Sequence, residues 1–251
     1  MNDGMILLIV GAIFVGALMR ATFGFGEAIV SMPLLAMLPI DLHTAISLLG
    51  LAGLTVALFT VVKGWRHIDR STLVRLAIGT IIGIPVGLIL VTKAPAAVVT
   101  TGLGIFLIIY GGYSFVRHTF VQRTVQAHLR GKYWSLPVGF AAGTIGSAYN
   151  FNGVPVVVYG TLNRWKPERL HGTLQAHFLI SGIFVVAGQA LGGLWTPHLF
   201  KLYAYSLPAI LIATGLGIIL NRLMPAGKFE RYVFLLIIVL GILLLVNPPN
   251  Y

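Results

Sequence analysis

Charge is what this chain has least of. Only 9% of its 251 residues are charged, and only six are acidic, against roughly 25% charged in a soluble domain. So few charges cannot cover a water-facing surface, which excludes a soluble globular fold. Cysteine is absent altogether, so neither disulfides nor thiolate metal sites arise. Nucleotide-binding patterns are missing as well. Gly24-Phe-Gly26 follows no strand and has the wrong spacing for a dinucleotide fingerprint, and no Walker motif points to an ATP-driven pump. No nucleophile–base pair and no carboxylate-rich histidine cluster marks a catalytic or metal centre. Neither an enzyme, a metal nor a cofactor is expected. The N-terminal Met-Asn-Asp-Gly lacks the positive region of a cleavable signal peptide, so the first apolar segment is expected to be retained.

What the chain has is apolar length. Hydrophobic residues make up 57% of it, and the mean hydropathy is +0.93. These values define an all-α polytopic membrane protein with a single transmembrane domain over 1–251. A crossing helix needs about 20 apolar residues. The expected spans are 5–20, 43–62, 72–92, 97–116, 134–149, 171–192, 200–220 and 231–247. Two apolar pieces, 28–38 and 154–162, are too short to cross. Each follows a break: Arg20-Ala-Thr-Phe-Gly24-Phe-Gly26-Glu27 and Tyr149-Asn-Phe-Asn-Gly153. Each piece is expected to be a re-entrant half-helix.

The formal net charge of +11 would suggest nucleic acid in a soluble protein. Here the basic residues sit between spans and read as the positive-inside rule. The clusters are Lys63/Arg66/Arg70/Arg75, Arg117/Arg123/Arg130/Lys132, Arg164/Lys166/Arg169 and Arg222/Lys228/Arg231, which hold 14 of the 17 basic residues. All four lie in the cytoplasm only if 5–20 with 28–38, and 134–149 with 154–162, are hairpins returning to their own side. Both termini are then extracytoplasmic, in a bacterial inner membrane. The halves also echo each other. Gly16 and Gly143, Gly26 and Gly153, and Asp41 and Glu168 are each 127 residues apart, and Phe106-Leu-Ile-Ile and Phe234-Leu-Leu-Ile are 128 apart. Two inverted-topology repeats are expected, each a broken-helix hairpin plus three transmembrane helices: 4–117 and 133–247, joined by a linker at 118–132. Secondary transporters of this kind place the site where broken helices meet.

Several stretches resemble the TauE/SafE (sulfite exporter, TSUP) family. They are Gly24-Phe-Gly-Glu-Ala-Ile-Val-Ser-Met-Pro33-Leu-Leu, Lys63-Gly-Trp-Arg-His-Ile-Asp69, Ile78-Gly-Thr-Ile-Ile-Gly-Ile-Pro-Val-Gly87, and the segment Gly139–Gly153 with Tyr159. The first is the most specific. The resemblance implies a polytopic carrier of small organic or sulfur-containing anions such as sulfite and sulfonates. Many family members carry a third glycine where this chain has Glu27.

Three ionisable groups fall within apolar segments: Arg20, Glu27 and His177. Such groups are functional candidates because their burial costs about 2.5–3.5 kcal/mol or more. Arg20 either grips an anion with its guanidinium fork, snorkels to the interface, or pairs with Glu27. Glu27 either caps the half-helix or couples a proton. His177 either relays protons or hydrogen-bonds between helices. Gly24 and Gly26 permit a break and close ligand approach, with Thr22 beside them. Tyr149, Asn150, Asn152 and Gly153 form the matching break, whose amides donate either to substrate oxygens or to freed backbone. Gln175, deep in 171–192, suggests a polar cavity. Gly79, Gly83 and Gly87 read as a packing ladder, and Pro85 as a kink. Trp65, Trp134, Trp165 and Trp195 read as interfacial anchors.

The expected substrate-binding set is therefore Arg20, Thr22, Gly24, Gly26, Tyr149, Asn150, Asn152, Gly153 and Gln175, with Glu27 and His177 for proton coupling. The expected function is secondary active transport of a small organic or sulfur-containing anion by alternating access of the two repeats. The alternative is an anion channel on the same scaffold. The expected partners are the anion and the lipid bilayer, with no nucleic acid; a homo-oligomer is left open.

Overall fold

The computed structural model describes residues 3–120, 132–223 and 230–246. Within them it forms ten α-helices: α1 Asp3–Phe23, α2 Glu27–Ala36, α3 Leu42–Gly64, α4 Arg70–Lys93, α5 Ala96–Phe120, α6 Ser135–Tyr149, α7 Gly153–Leu162, α8 Pro167–Leu191, α9 Leu199–Leu223 and α10 Glu230–Val246. No strand occurs among the described residues. The chain is an all-α polytopic membrane protein. Six helices (α1, α3, α4, α5, α8 and α9) are long and apolar enough to cross a bilayer.

The helix ends follow local chemistry. The Asp41 and Asp69 side chains accept the Thr44 and Thr72 backbone N–H groups and start α3 and α4, satisfying donors that a helix start leaves open. Pro167 starts α8 four residues before the expected 171, because the first turn needs no N–H. The two breaks use left-handed backbone. Gly24 has φ +85° and Gly26 φ +100°, and α6 ends on Asn150 at φ 60°. Helix α1 passes Arg20 by nearly a turn before Gly24 stops it, whereas sequence reading ended the span at Arg20. Helix α4 stays helical through Pro85. Most of the linker at 118–132, with Arg123 and Arg130, lies outside the described residues, as does Lys228.

Helices α3 and α8 form the central seam. Helix α1 packs along α9, α6 along α4, and α5 along α10. The Gly79/Gly83/Gly87 ladder is where α4 meets α6. A Cβ on Gly83 would stand 2.1 Å from the Phe140 carbonyl oxygen, and one on Gly87 the same distance from that of Thr144. On the other hairpin, a Cβ on Gly217 of α9 would stand 2.5 Å from the Ala21 Cβ of α1. The outer faces carry exposed aliphatics, such as Ile78, Ile82, Val86 and Ile89 of α4. In a membrane protein these are the lipid-facing groups.

Candidate functional site

Arg20 and Glu27 close the first break from its two sides. The Arg20 Nη1 donates to Glu27 Oε2 at 2.7 Å and to the Gly53 carbonyl oxygen at 2.9 Å. The guanidinium lies 4.2 Å from the centre of the Phe178 ring, an arrangement that favours a desolvated cation. Arg20 is 6% and Glu27 5% exposed. Gly53 and Phe178 stand near the midpoints of α3 and α8, so the ion pair lies level with the middle of both helices. Glu27 is the first residue of α2, and its carboxylate bonds Arg20 while no side chain caps that helix.

The pair leaves donors and acceptors over. Arg20 Nε and Nη2 and Glu27 Oε1 are buried with no partner among the described residues. Arg20 and Glu27 line a narrow cavity walled by both breaks. From the first come Arg20, Phe25, Gly26 and the opening residues of α2, Glu27, Ala28 and Ile29. From the second come Asn150, Phe151, Asn152 and the opening residues of α7, Gly153 and Val154. Two helix N-termini thus face one space, and free N–H groups at such ends favour an anion. A second narrow cavity shares Arg20, Glu27, Asn150, Asn152 and Phe178 and extends along the seam past Gly50, Gly53, Gly182 and Val185.

The expected residues divide into two groups. Arg20, Gly26, Glu27, Asn150, Asn152 and Gly153 meet at the cavity. The Asn150 amide donates to the Ile46 carbonyl oxygen at 2.8 Å and the Asn152 amide to Ser181 Oγ at 2.7 Å. Five others stand back from it. Gln175 is saturated: its Nε2 donates to the Gly24 carbonyl oxygen at 2.9 Å and its Oε1 accepts from the Thr60 hydroxyl at 2.9 Å. Gly24 therefore anchors the tip of the break to α8. The Thr22 hydroxyl donates to the Leu18 carbonyl oxygen of its own helix. The Tyr149 ring packs beside Phe151, 6.3 Å between centres. His177, fully buried, shares a 2.9 Å hydrogen bond with Thr80 Oγ1. The same hydroxyl lies 3.1 Å from the Gly139 carbonyl oxygen. His177 thus ties α8 to α4.

Sequence reading missed Gly53, Phe178 and Ser181. None differs in type from its neighbours. The signal that could have found them is the stripe Gln175, Phe178, Gly182, Val185, Gln189, which recurs at three- and four-residue spacing along one face of α8. Among the described residues no three His, Asp or Glu side chains converge to hold a metal.

Two broken helices meeting over a buried ion pair, in a bundle of apolar helices, define the class: a multi-pass membrane transporter rather than an enzyme. A family model described as Sulfite exporter TauE/SafE matches residues 8–244, and the chain belongs to that family. No curated protein and no solved structure matches the chain.

Proposed function

We propose that this chain is a proton-coupled secondary transporter of a small oxyanion of the sulfite, sulfonate or carboxylate class. The observation that carries the reading is the buried Arg20–Glu27 pair between two helix breaks, with Arg20 lining the cavity and its Nε and Nη2 without a partner among the described residues. The anion takes those donors, the N–H groups that open α2 and the Gly153 N–H that opens α7. Asn150 and Asn152 line the opposite wall.

Charge arithmetic gives the coupling. With both side chains ionised the pair is neutral, and an anion arriving at Arg20 meets the Glu27 carboxylate at close range. In a site of low dielectric that repulsion is several times its value in water. A proton on Glu27 removes it and leaves Arg20 as the uncompensated cation. Anion and proton therefore share the site, and a monoanion crosses electroneutrally with its proton.

Alternating access rests on the two hairpins. Helix α1 packs on α9, while α6 packs on α4, an exchange that supports two inverted repeats rocking about the α3–α8 seam. With the basic clusters in the cytoplasm, both termini face away from it. A channel on the same scaffold is the competing reading. The saturated Gln175–Thr60–Gly24 contact, which blocks one end of the seam, favours the carrier.

A thermal-stability screen of purified protein against sulfite, sulfonates, thiosulfate and small carboxylates tests the site. The expected result is an anion-dependent rise in melting temperature that Arg20→Ala abolishes. A shift that persists in Arg20→Ala places the anion elsewhere. Counterflow in proteoliposomes separates carrier from channel, because only a carrier exchanges labelled for unlabelled anion through one site.

A further inference from the structure

Gln189 is fully buried on α8, and among the described residues neither atom of its amide has a partner. Buried polar groups are nearly always satisfied, and one left open costs about 1–3 kcal/mol. Its counterpart on the same helix face, Gln175, is satisfied at both atoms. The two glutamines are fourteen residues apart, about 21 Å along the helix, and bracket the central ion pair. One end of the seam is thus closed by hydrogen bonds, and the other offers an open amide.

The open amide lies beside the site. The Gln189 side-chain oxygen lies 2.5 Å, and that of Asn150 3.3 Å, from the point where a Cβ on Gly50 would stand. Gly50 and Asn150 both line the cavity that runs out from Arg20. Gln189 is the next residue of the α8 stripe beyond Val185, which lines the same cavity. The absence of a side chain at Gly50 is what leaves the amide room.

Resting on the transport reading above, we propose that Gln189 is a second binding position for the anion, between the central cavity and the Leu194–Thr196 end of the bundle. Its Nε2 donates to an anion oxygen. Its Oε1, presented by rotation of the amide, accepts from the protonated form of the same substrate. The position is uncharged, so it binds weakly. A step that must be left as readily as it is entered needs that property.

The test is sulfite counterflow in proteoliposomes of native protein, Gln189→Leu and Gln189→Glu, alongside the sulfite-dependent thermal shift of each. Gln189→Leu keeps the size and removes the amide. Its KM is expected to rise about tenfold, the value of one hydrogen bond to a charged group, with maximal rate and thermal shift close to native. Gln189→Glu, nearly isosteric, is expected to raise KM further by repelling the anion, and it carries the test if Gln189→Leu does not fold. An unchanged KM in the folded variants overturns this inference alone. Native protein without sulfite counterflow or thermal shift overturns the transport reading, and this inference with it.

Discussion

Arg20 and Glu27 stand where neither could stand alone. Each neutralises the other, and Phe178 covers the guanidinium face. Breaking a buried pair from one side costs about 3–5 kcal/mol, while replacing both members is far milder. Arg20→Met should therefore melt well below native protein, and Arg20→Met with Glu27→Gln should recover most of the loss. Thermal unfolding in detergent reads this directly, and a double variant no better than the single one would contradict the pairing. Asp69 offers a second test, outside the membrane spans. Burial acts to raise its proton affinity. The Thr72 N–H and hydroxyl, then the hydrogen bond and charge of Arg169, outweigh burial and hold the carboxyl below its ordinary value. A carboxylate depressed in the folded state stabilises above its unfolded range, about pH 3.9, and loses that contribution as pH falls through the folded value. The melting-temperature gap between native protein and Asp69→Asn should be full at pH 7 and close only below about pH 4. A gap that closes between pH 5 and 7 would point to another group.

At the scale of elements, the breaks matter more than the helices. Gly26 holds φ +100°, where an alanine is strained although the space beside it is open. Gly26→Ala should cost about 1–3 kcal/mol and lower transport by moving Glu27. A Cβ on Gly153 would stand 2.4 Å from the Phe178 Cζ atom. Gly153→Ala should therefore displace that ring from Arg20 and weaken anion binding with little change in melting temperature. Dose-dependent thermal shifts separate the two cases. These breaks were legible because glycine and polar residues interrupt apolar runs, and both half-helices lie within two residues of their expected bounds. The pairing of Arg20 with Glu27 was one of three readings, because spacing alone cannot tell how a chain turns between two glycines. Phe178, Gly53 and Gln189 were not legible as site residues. In a hydrophobic helix a functional residue and a packing residue obey the same periodicity, and only the partner across the seam separates them.

At the scale of the whole molecule, the seam between α3 and α8 is the axis and its two ends differ. One end is bound by Gln175, Thr60 and Gly24. On that same end the Asp69–Arg169 ion pair joins the start of α4 to the start of α8, with Trp165 4.8 Å from the Arg169 guanidinium. The other end holds the open Gln189 amide and a Thr44–Thr196 hydroxyl contact of 2.7 Å. Gly83→Leu would drive α4 off α6, since backbone already lies within contact of the missing side chain. Loss of folded protein, rather than altered affinity, is its expected result in a size-exclusion profile. Composition made the membrane class legible, while loop charges and half-chain echoes carry only the proposed inverted arrangement.

The central claim is that Glu27 carries the proton that lets Arg20 take the anion. The most direct measurement is sulfite accumulation in proteoliposomes under an imposed pH gradient, for native protein and Glu27→Gln. The account predicts that native protein accumulates sulfite against its gradient, and that Glu27→Gln carries it downhill at a rate the pH gradient no longer changes. Gradient-driven accumulation that survives in Glu27→Gln would contradict it.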